Sequence, residues 1–245
     1  MLTLITAVIG IGAGPAVRWV APATPTYTNT RTVVTTVTTQ SGWATNYPHQ
    51  RKVFRIAGLW WLFYGDGTNQ VYRTSADAVT WGDPVTVRSG TGLGHRIGYW
   101  FDGVYIHYAY NDATNGGDIF YRRGTPDAES VITWSAVEQT VVDLSTSFAG
   151  GYPSVTVDTN GAPWVSAMVS SDPAWTAPHE GRVYKSSATD GTWTTQSGFP
   201  VIVATGFTTT FNYPECVPLR AGKVFCGWPQ DGAFADVLLG NHWNG

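Results

Sequence analysis

The groups in this chain that could do chemistry are few: five histidines, two cysteines, 14 Lys and Arg, and 17 Asp and Glu. His49, His95, His107, His179 and His242 show no i, i+4 or short i, i+2 spacing, so no metal site is expected from them. No Gly-rich phosphate loop precedes a helix, and no Ser sits in a nucleophile elbow. No cofactor is expected. Tyr213 and Glu215 are two residues apart and could act as a pair, although any strand places alternate residues on one face. Cys216 and Cys226 flank Arg220-Ala221-Gly222-Lys223, which reads as a hairpin turn; a cross-strand disulfide and two buried thiols both fit. Exposed Trp can stack on sugar rings, whose C–H faces are apolar. Trp175, inside the long insertion SSDPAWTAPHEGR, is the best placed for that, and packing inside the fold is the competing role.

These residues must be positioned by repeated strands. Trp81, Trp134, Trp193 and Trp243 recur at spacings of 53, 59 and 50 residues, which suits a propeller blade of roughly 40–50 residues plus loops. In phase with them run inner strands (KVFRIAG, RIGYWFDG, SVTVDTNG, CVPLRAG) and second strands (LWWLFYGDG, VYIHYAYND, PWVSAMVSSD, KVFCGWPQDG). Third strands follow (QVYRTSAD, DIFYRRGTPD, RVYKSSATD, and a shortened DVLLGN), and outer strands close three of the repeats (PVTVRS, EQTVVD, FPVIVA). The fourth repeat has no outer strand after Trp243. Arg31 to Thr39, RTVVTTVTT, would supply it and close the ring. The expected fold is therefore all-β: a small propeller of four blades, each of four antiparallel strands, over residues 31–245. A β-sandwich and a fragment of a larger propeller are the alternatives. Residues 1–30, apolar at the start (MLTLITAVIGIGAG), read as an arm that packs on this domain or on a neighbouring subunit. That stretch is too short for a transmembrane helix and has no early basic residue.

Aligning the repeats at the start of each inner strand brings unlike polar residues into register. His49 follows Tyr47-Pro48, Ser154 follows Tyr152-Pro153, and Glu215 follows Tyr213-Pro214; in GLGHRIG the place falls to His95 or Arg96. A ligand is expected at this ring, in competition with a simple water-filled channel.

TSADAVTW resembles the Asp-box of sialidase-like propellers, Ser-x-Asp-Gly-x-Thr-Trp, through Ser75, Asp77, Thr80 and Trp81. SSATDGTW keeps Asp190, Gly191, Thr192 and Trp193; TPDAESVITW is a stretched copy, and the fourth has lost its Asp. The resemblance implies that Asp77 and Asp190 tie turns on the outer rim and are not catalytic. It also implies a sialidase set of three arginines, a Tyr–Glu pair and an Asp. VFRIAG resembles the family's Phe/Tyr-Arg-Ile-Pro motif, with Ala57 in place of Pro, and would put Arg55, Arg96, Tyr213 and Glu215 in that set. The inner strand SVTVDTNG offers no arginine, and Arg220 lies beside a turn.

Composition narrows the classes. Charged residues are 13% and net charge is −3, giving no footprint for nucleic acid or an anionic membrane. The 12 Trp, 12 Tyr and 10 Phe, with a surface that must be Thr/Ser/Asn-rich, fit an extracellular or virion location. The expected function is a non-enzymatic module that binds a glycan or protein receptor, or takes part in assembly, as a homo-oligomer through residues 1–30. A sialidase-type glycoside hydrolase and a purely structural subunit of a filament or capsid are the alternatives.

Overall fold

The structure is a computed structural model that describes residues 33–34, 44–45, 50–90, 94–112, 117–135, 137–144, 149–172, 178–207, 213–230 and 237–243. These belong to one compact unit, Val33–Gly245. The N-terminal arm, His49 and Trp175 lie outside the described residues, as does the strand expected at 31–39 apart from Val33 and Val34, which have no regular structure.

Four antiparallel sheets follow one another along the chain. The first contains β1 (Val53–Ile56), β2 (Leu59–Gly65), β3 (Gln70–Ser75) and β4 (Val85–Arg88). The second contains β5 (Ile97–Phe101), β6 (Ile106–Asn111), β7 (Ile119–Pro126), β8 (Ile132–Trp134) and β9 (Gln139–Val142). The third contains β10 (Ala149–Val157), β11 (Pro163–Ser170), β12 (His179–Lys185) and β13 (Val201–Phe207), and the fourth β14 (Glu215–Pro218), β15 (Val224–Gln230) and β16 (Val237–Trp243). The all-β expectation and the four inner strands stand. The uniform four strands per sheet do not: the second sheet has five. Its stretched box folds as an extra hairpin, with β7 pairing β8 through Thr125↔Thr133 and β9 through Phe120↔Thr140. The fourth sheet shows three strands, and no partner lies on the outer edge of β16 among the described residues.

Side-chain alternation sets how the sheets stack, because successive residues of a strand face opposite sides. Phe54, Ile56, Trp61 and Phe63 of the first sheet pack on Ile97, Tyr99 and Tyr108 of the second. Phe63 and Tyr99 have ring centroids 4.2 Å apart. Ala109, Ile119 and Tyr121 then meet Val155, Val165 and Tyr184 of the third sheet. Trp164 and Val183 meet Cys216, Val224 and Cys226 of the fourth. All eight residues of β11 are buried, as expected of a strand covered on both faces. Four sheets stacked in chain order is an arrangement of the propeller kind and not a two-sheet sandwich. Val53 of the first sheet, and Val217 and Phe225 of the fourth, are exposed.

Cys216 and Cys226 sit directly opposite in β14 and β15 and form a disulfide, which decides between the two readings left open above. No described helix is long and apolar enough to cross a membrane, and no group of three His, Cys, Asp or Glu among the described residues could hold a metal ion.

Candidate functional site

The inner strands β1, β5, β10 and β14 begin at one end of the stack, termed the mouth, where their starts converge through cross-sheet bonds. Gln50, two residues before Lys52, is buried and its Nε2 donates to Pro153 O at 2.9 Å. Lys52 Nζ donates to Gly94 O at 2.8 Å and also to Ile97 O, and lies 5.3 Å from the Tyr99 ring centroid. Burial pulls this amine down to about 7. Ser166 Oγ donates to Pro214 O at 2.6 Å. Between β5 and β10 the backbones approach so closely that a Cβ at Gly98 would stand 2.6 Å from Pro153 O; only glycine fits there.

Over this floor sits a polar and aromatic cluster. Glu215 opens β14, half-buried; burial pushes its carboxyl above the usual carboxylate range, and Arg51 pulls the other way. The Arg51 guanidinium also lies 4.7 Å from the Trp100 ring centroid. Arg96 ends a single 3-10 turn, Gly94–Arg96. Burial lowers its pKa, while Tyr152 and Asp112 act on it electrostatically in the opposite sense. Asp112 directly follows β6, whose antiparallel course returns it to the end where β5 starts. Tyr152 sits at the β10 bulge with φ 56°, a left-handed conformation that is rare for a bulky residue and marks a position held by its surroundings. Its ring meets that of Tyr213 edge to face, with centroids 4.9 Å apart.

Of the residues singled out from sequence, Arg96 and Tyr213 both adjoin Tyr152, the first electrostatically and the second through its ring, and Glu215 opens β14 under the influence of Arg51. Ser154 reaches the same level but is buried against β5, its Cα 3.2 Å from the Gly98 Cβ position, and does not face open space. Arg55 is not in the cluster. It stands two residues into β1, exposed, its guanidinium 5.1 Å from the ring centroid of its cross-strand partner Trp60. That is towards the Ala57-Gly58 turn, at the opposite end from the mouth, as is exposed Arg220 in the turn after β14. The four residues of the sialidase set therefore do not converge. The His95 side chain is outside what is described.

Sequence reasoning missed Arg51, Lys52, Asp112 and Tyr152. Asp112 had a signal: the second strands in all four repeats run into an Asp, at Asp66, Asp112, Asp172 and Asp231. Asp66 spends its carboxylate on the turn, accepting from Thr68 N and Asn69 N.

The box aspartates behave as expected of turn residues. Asp77 Oδ1 accepts from Val79 N at 2.8 Å and Thr80 N at 2.7 Å, with Ser75 Oγ at 2.9 Å, and these bonds hold its carboxyl at about 2. Asp190 Oδ1 accepts from Thr192 N and Oγ1. Asp127 does the same for Glu129 N and Val131 N. A second cluster, Asp102, His107 and Tyr121, joins by bonds of 3.0 and 2.8 Å at the far end of β5, but His107 and Tyr121 are fully buried and serve the fold.

No family model and no curated protein matches this sequence. Among solved structures, the α-L-arabinofuranosidase Arb93A from Fusarium graminearum is similar with a TM-score of 0.54 and 8% identity, over 85% of this chain and 64% of that one. An endo-arabinase from Bacteroides thetaiotaomicron gives 0.48 and 14%, over 77% and 72%. The chain thus spans less than two thirds of the arabinofuranosidase. The expectation of a non-enzymatic binding or assembly module is corrected by the likeness to Arb93A, which is named as an α-L-arabinofuranosidase. Neither is named a sialidase. At 8% identity the likeness to Arb93A establishes the fold alone: an all-β stack of antiparallel sheets.

Proposed function

We propose that the protein is a glycoside hydrolase whose reaction takes place at the mouth. The observation that carries this reading is Glu215, a carboxyl raised by burial at the point where the inner strands of all four sheets begin. Hydrolysis of a glycosidic bond uses two carboxyl groups, one protonated and one ionised. Glu215 is the acid: it gives its proton to the leaving oxygen as the C–O bond breaks. Asp112 supplies the second carboxylate, which assists the water that adds to the anomeric carbon. Arg51 and Arg96 donate hydrogen bonds to sugar hydroxyls, and the Tyr152 and Tyr213 rings offer faces to the sugar's C–H groups. The similarity to Arb93A makes arabinofuranosides the first substrates to try. The test is release of 4-nitrophenol from a panel of aryl glycosides that includes the α-L-arabinofuranoside. Wild type turns over at least one. Glu215→Gln and Asp112→Asn each lose about 100-fold or more, whereas Asp190→Asn, in an outer turn, keeps its rate. No turnover on the whole panel, or full activity in Glu215→Gln, defeats the reading.

We further infer that the four sheets form a closed four-bladed propeller with residues 31–39 as the outer strand beside β16. The edge of β16, unpartnered among the described residues, supports this, and so does the charge interaction of Arg51, just before β1, with Glu215 of β14. We also propose a location outside the cell, supported by the Cys216–Cys226 disulfide, since oxidising compartments are where such bonds persist. Mass measurement without reductant on protein taken from its native source, showing free thiols, would count against that location.

A further inference from the structure

We propose that Lys52 is a positioning residue for Arg96: it clamps the turn that presents Arg96 to the mouth. This rests on the reading of the mouth as the site of the reaction. Lys52 Nζ donates to Gly94 O and Ile97 O, the carbonyls on either side of the His95-Arg96 pair. The turn is a single one, Gly94–Arg96, too short to hold its own shape. Two residues upstream of Lys52, Gln50 donates to Pro153 O, and Pro153 follows Tyr152, which acts electrostatically on Arg96. The stretch from Gln50 to Lys52 therefore holds both the Arg96 turn and the backbone next to Tyr152, from the start of a different sheet.

The position argues for this role over a merely structural one. Lys52 is 7% exposed, and no carboxylate forms an ion pair with it among the described residues. Its amine is buried beside the Tyr99 ring, where an apolar side chain would be cheaper to bury than an amine. What the amine contributes and a methionine would not is its pair of bonds to the Arg96 turn.

The experiment is a double-mutant cycle with Lys52→Met, Arg96→Ala and both together, read as KM and kcat on the best aryl glycoside of the panel. Hydrogen exchange of residues 94–98 is measured in parallel. Lys52→Met is expected to raise KM about tenfold with kcat within about twofold, and the double variant to be no worse than Arg96→Ala alone. Exchange at 94–98 is expected to speed up about tenfold while the amides of β11 and β12 stay protected. Any other kinetic pattern, additive effects included, overturns the proposal, and so does unchanged exchange at 94–98. Should Lys52→Met fail to fold, Lys52→Gln, which keeps one amide donor, is put through the same cycle under the same criteria. If wild type turns over nothing, the hydrolase reading falls by itself and the exchange comparison alone decides the clamp.

Discussion

Glu215 and Lys52 are both titratable groups displaced by burial, and their positions at the mouth make the displacement measurable. A general acid must be protonated, so activity falls as pH rises through the raised pKa of Glu215. Arg51 opposes that rise. Arg51→Gln therefore lifts the Glu215 carboxyl further, and the alkaline limb of kcat/KM moves to higher pH; a shift to lower pH would refute the pairing. For Lys52 the folded value of about 7 lies below the unfolded 10.5. Between those values the unfolded chain binds the extra proton, so stability climbs with pH across that window. The slope is on the order of 1 kcal/mol per pH unit. The penalty of the buried ammonium is fully present below pH 7 and relieved above 10.5. Urea midpoints from pH 7 to 10 should rise more steeply in wild type than in Lys52→Met, and parallel curves would contradict this.

At the scale of elements, the turns depend on aspartates that accept several N–H groups at once. Asp158, at the end of β10, is the most committed. Its Oδ1 accepts from Asn160 N and Ala162 N, and its Oδ2 from Trp164 Nε1, all near 3.0 Å, the last two out of water. Removing it strands three donors, two of them buried. Asp158→Ala should cost about 3–5 kcal/mol, read by urea unfolding, and a loss below about 1 kcal/mol would mean that water replaces the carboxylate. Glu138 plays a similar part between sheets: it accepts from Tyr108 and Tyr110 hydroxyls at 2.7 and 2.8 Å and pairs with Arg88 of β4 at 3.0 Å. The repeated tryptophans do the same in apolar form. Trp193 packs on Tyr121 of the second sheet, and Trp243 on Trp164 of the third, at 5.5 and 5.7 Å.

At the scale of the molecule, apolar cores join the first sheet to the second, the second to the third and the third to the fourth. The edge of β16, unpartnered among the described residues, is what a ring closure through residues 31–39 would engage. An unpaired edge strand is also a template for association with other chains. Deleting residues 31–39 is expected to lower Tm by several degrees, since about 2–4 °C accompany each kcal/mol in a chain of this size. An unchanged Tm would remove the closure.

Inner strands, turns and the order of the sheets were legible in the sequence because they rest on local rules: alternation along a strand, Asp and Gly at turns, Trp at a fixed phase. KVFRIAG and CVPLRAG read as inner strands and are β1 and β14. The positions of Arg96 and Glu215 at the starts of inner strands were legible, since they follow from aligning the repeats. The stretched box folding as the β7–β8 hairpin was not, since its extra residues carry no period of their own. The disulfide, the displacement of Arg55 to the far end, the interaction of Asp112 and Tyr152 with Arg96 and that of Arg51 with Glu215 were decided by tertiary structure. A spacing along one chain says which face a residue takes. Which residues of other sheets it meets depends on how far each strand is slid against its neighbours, and here that is set by contacts such as Gly98 on Pro153 and Lys52 on the Arg96 turn.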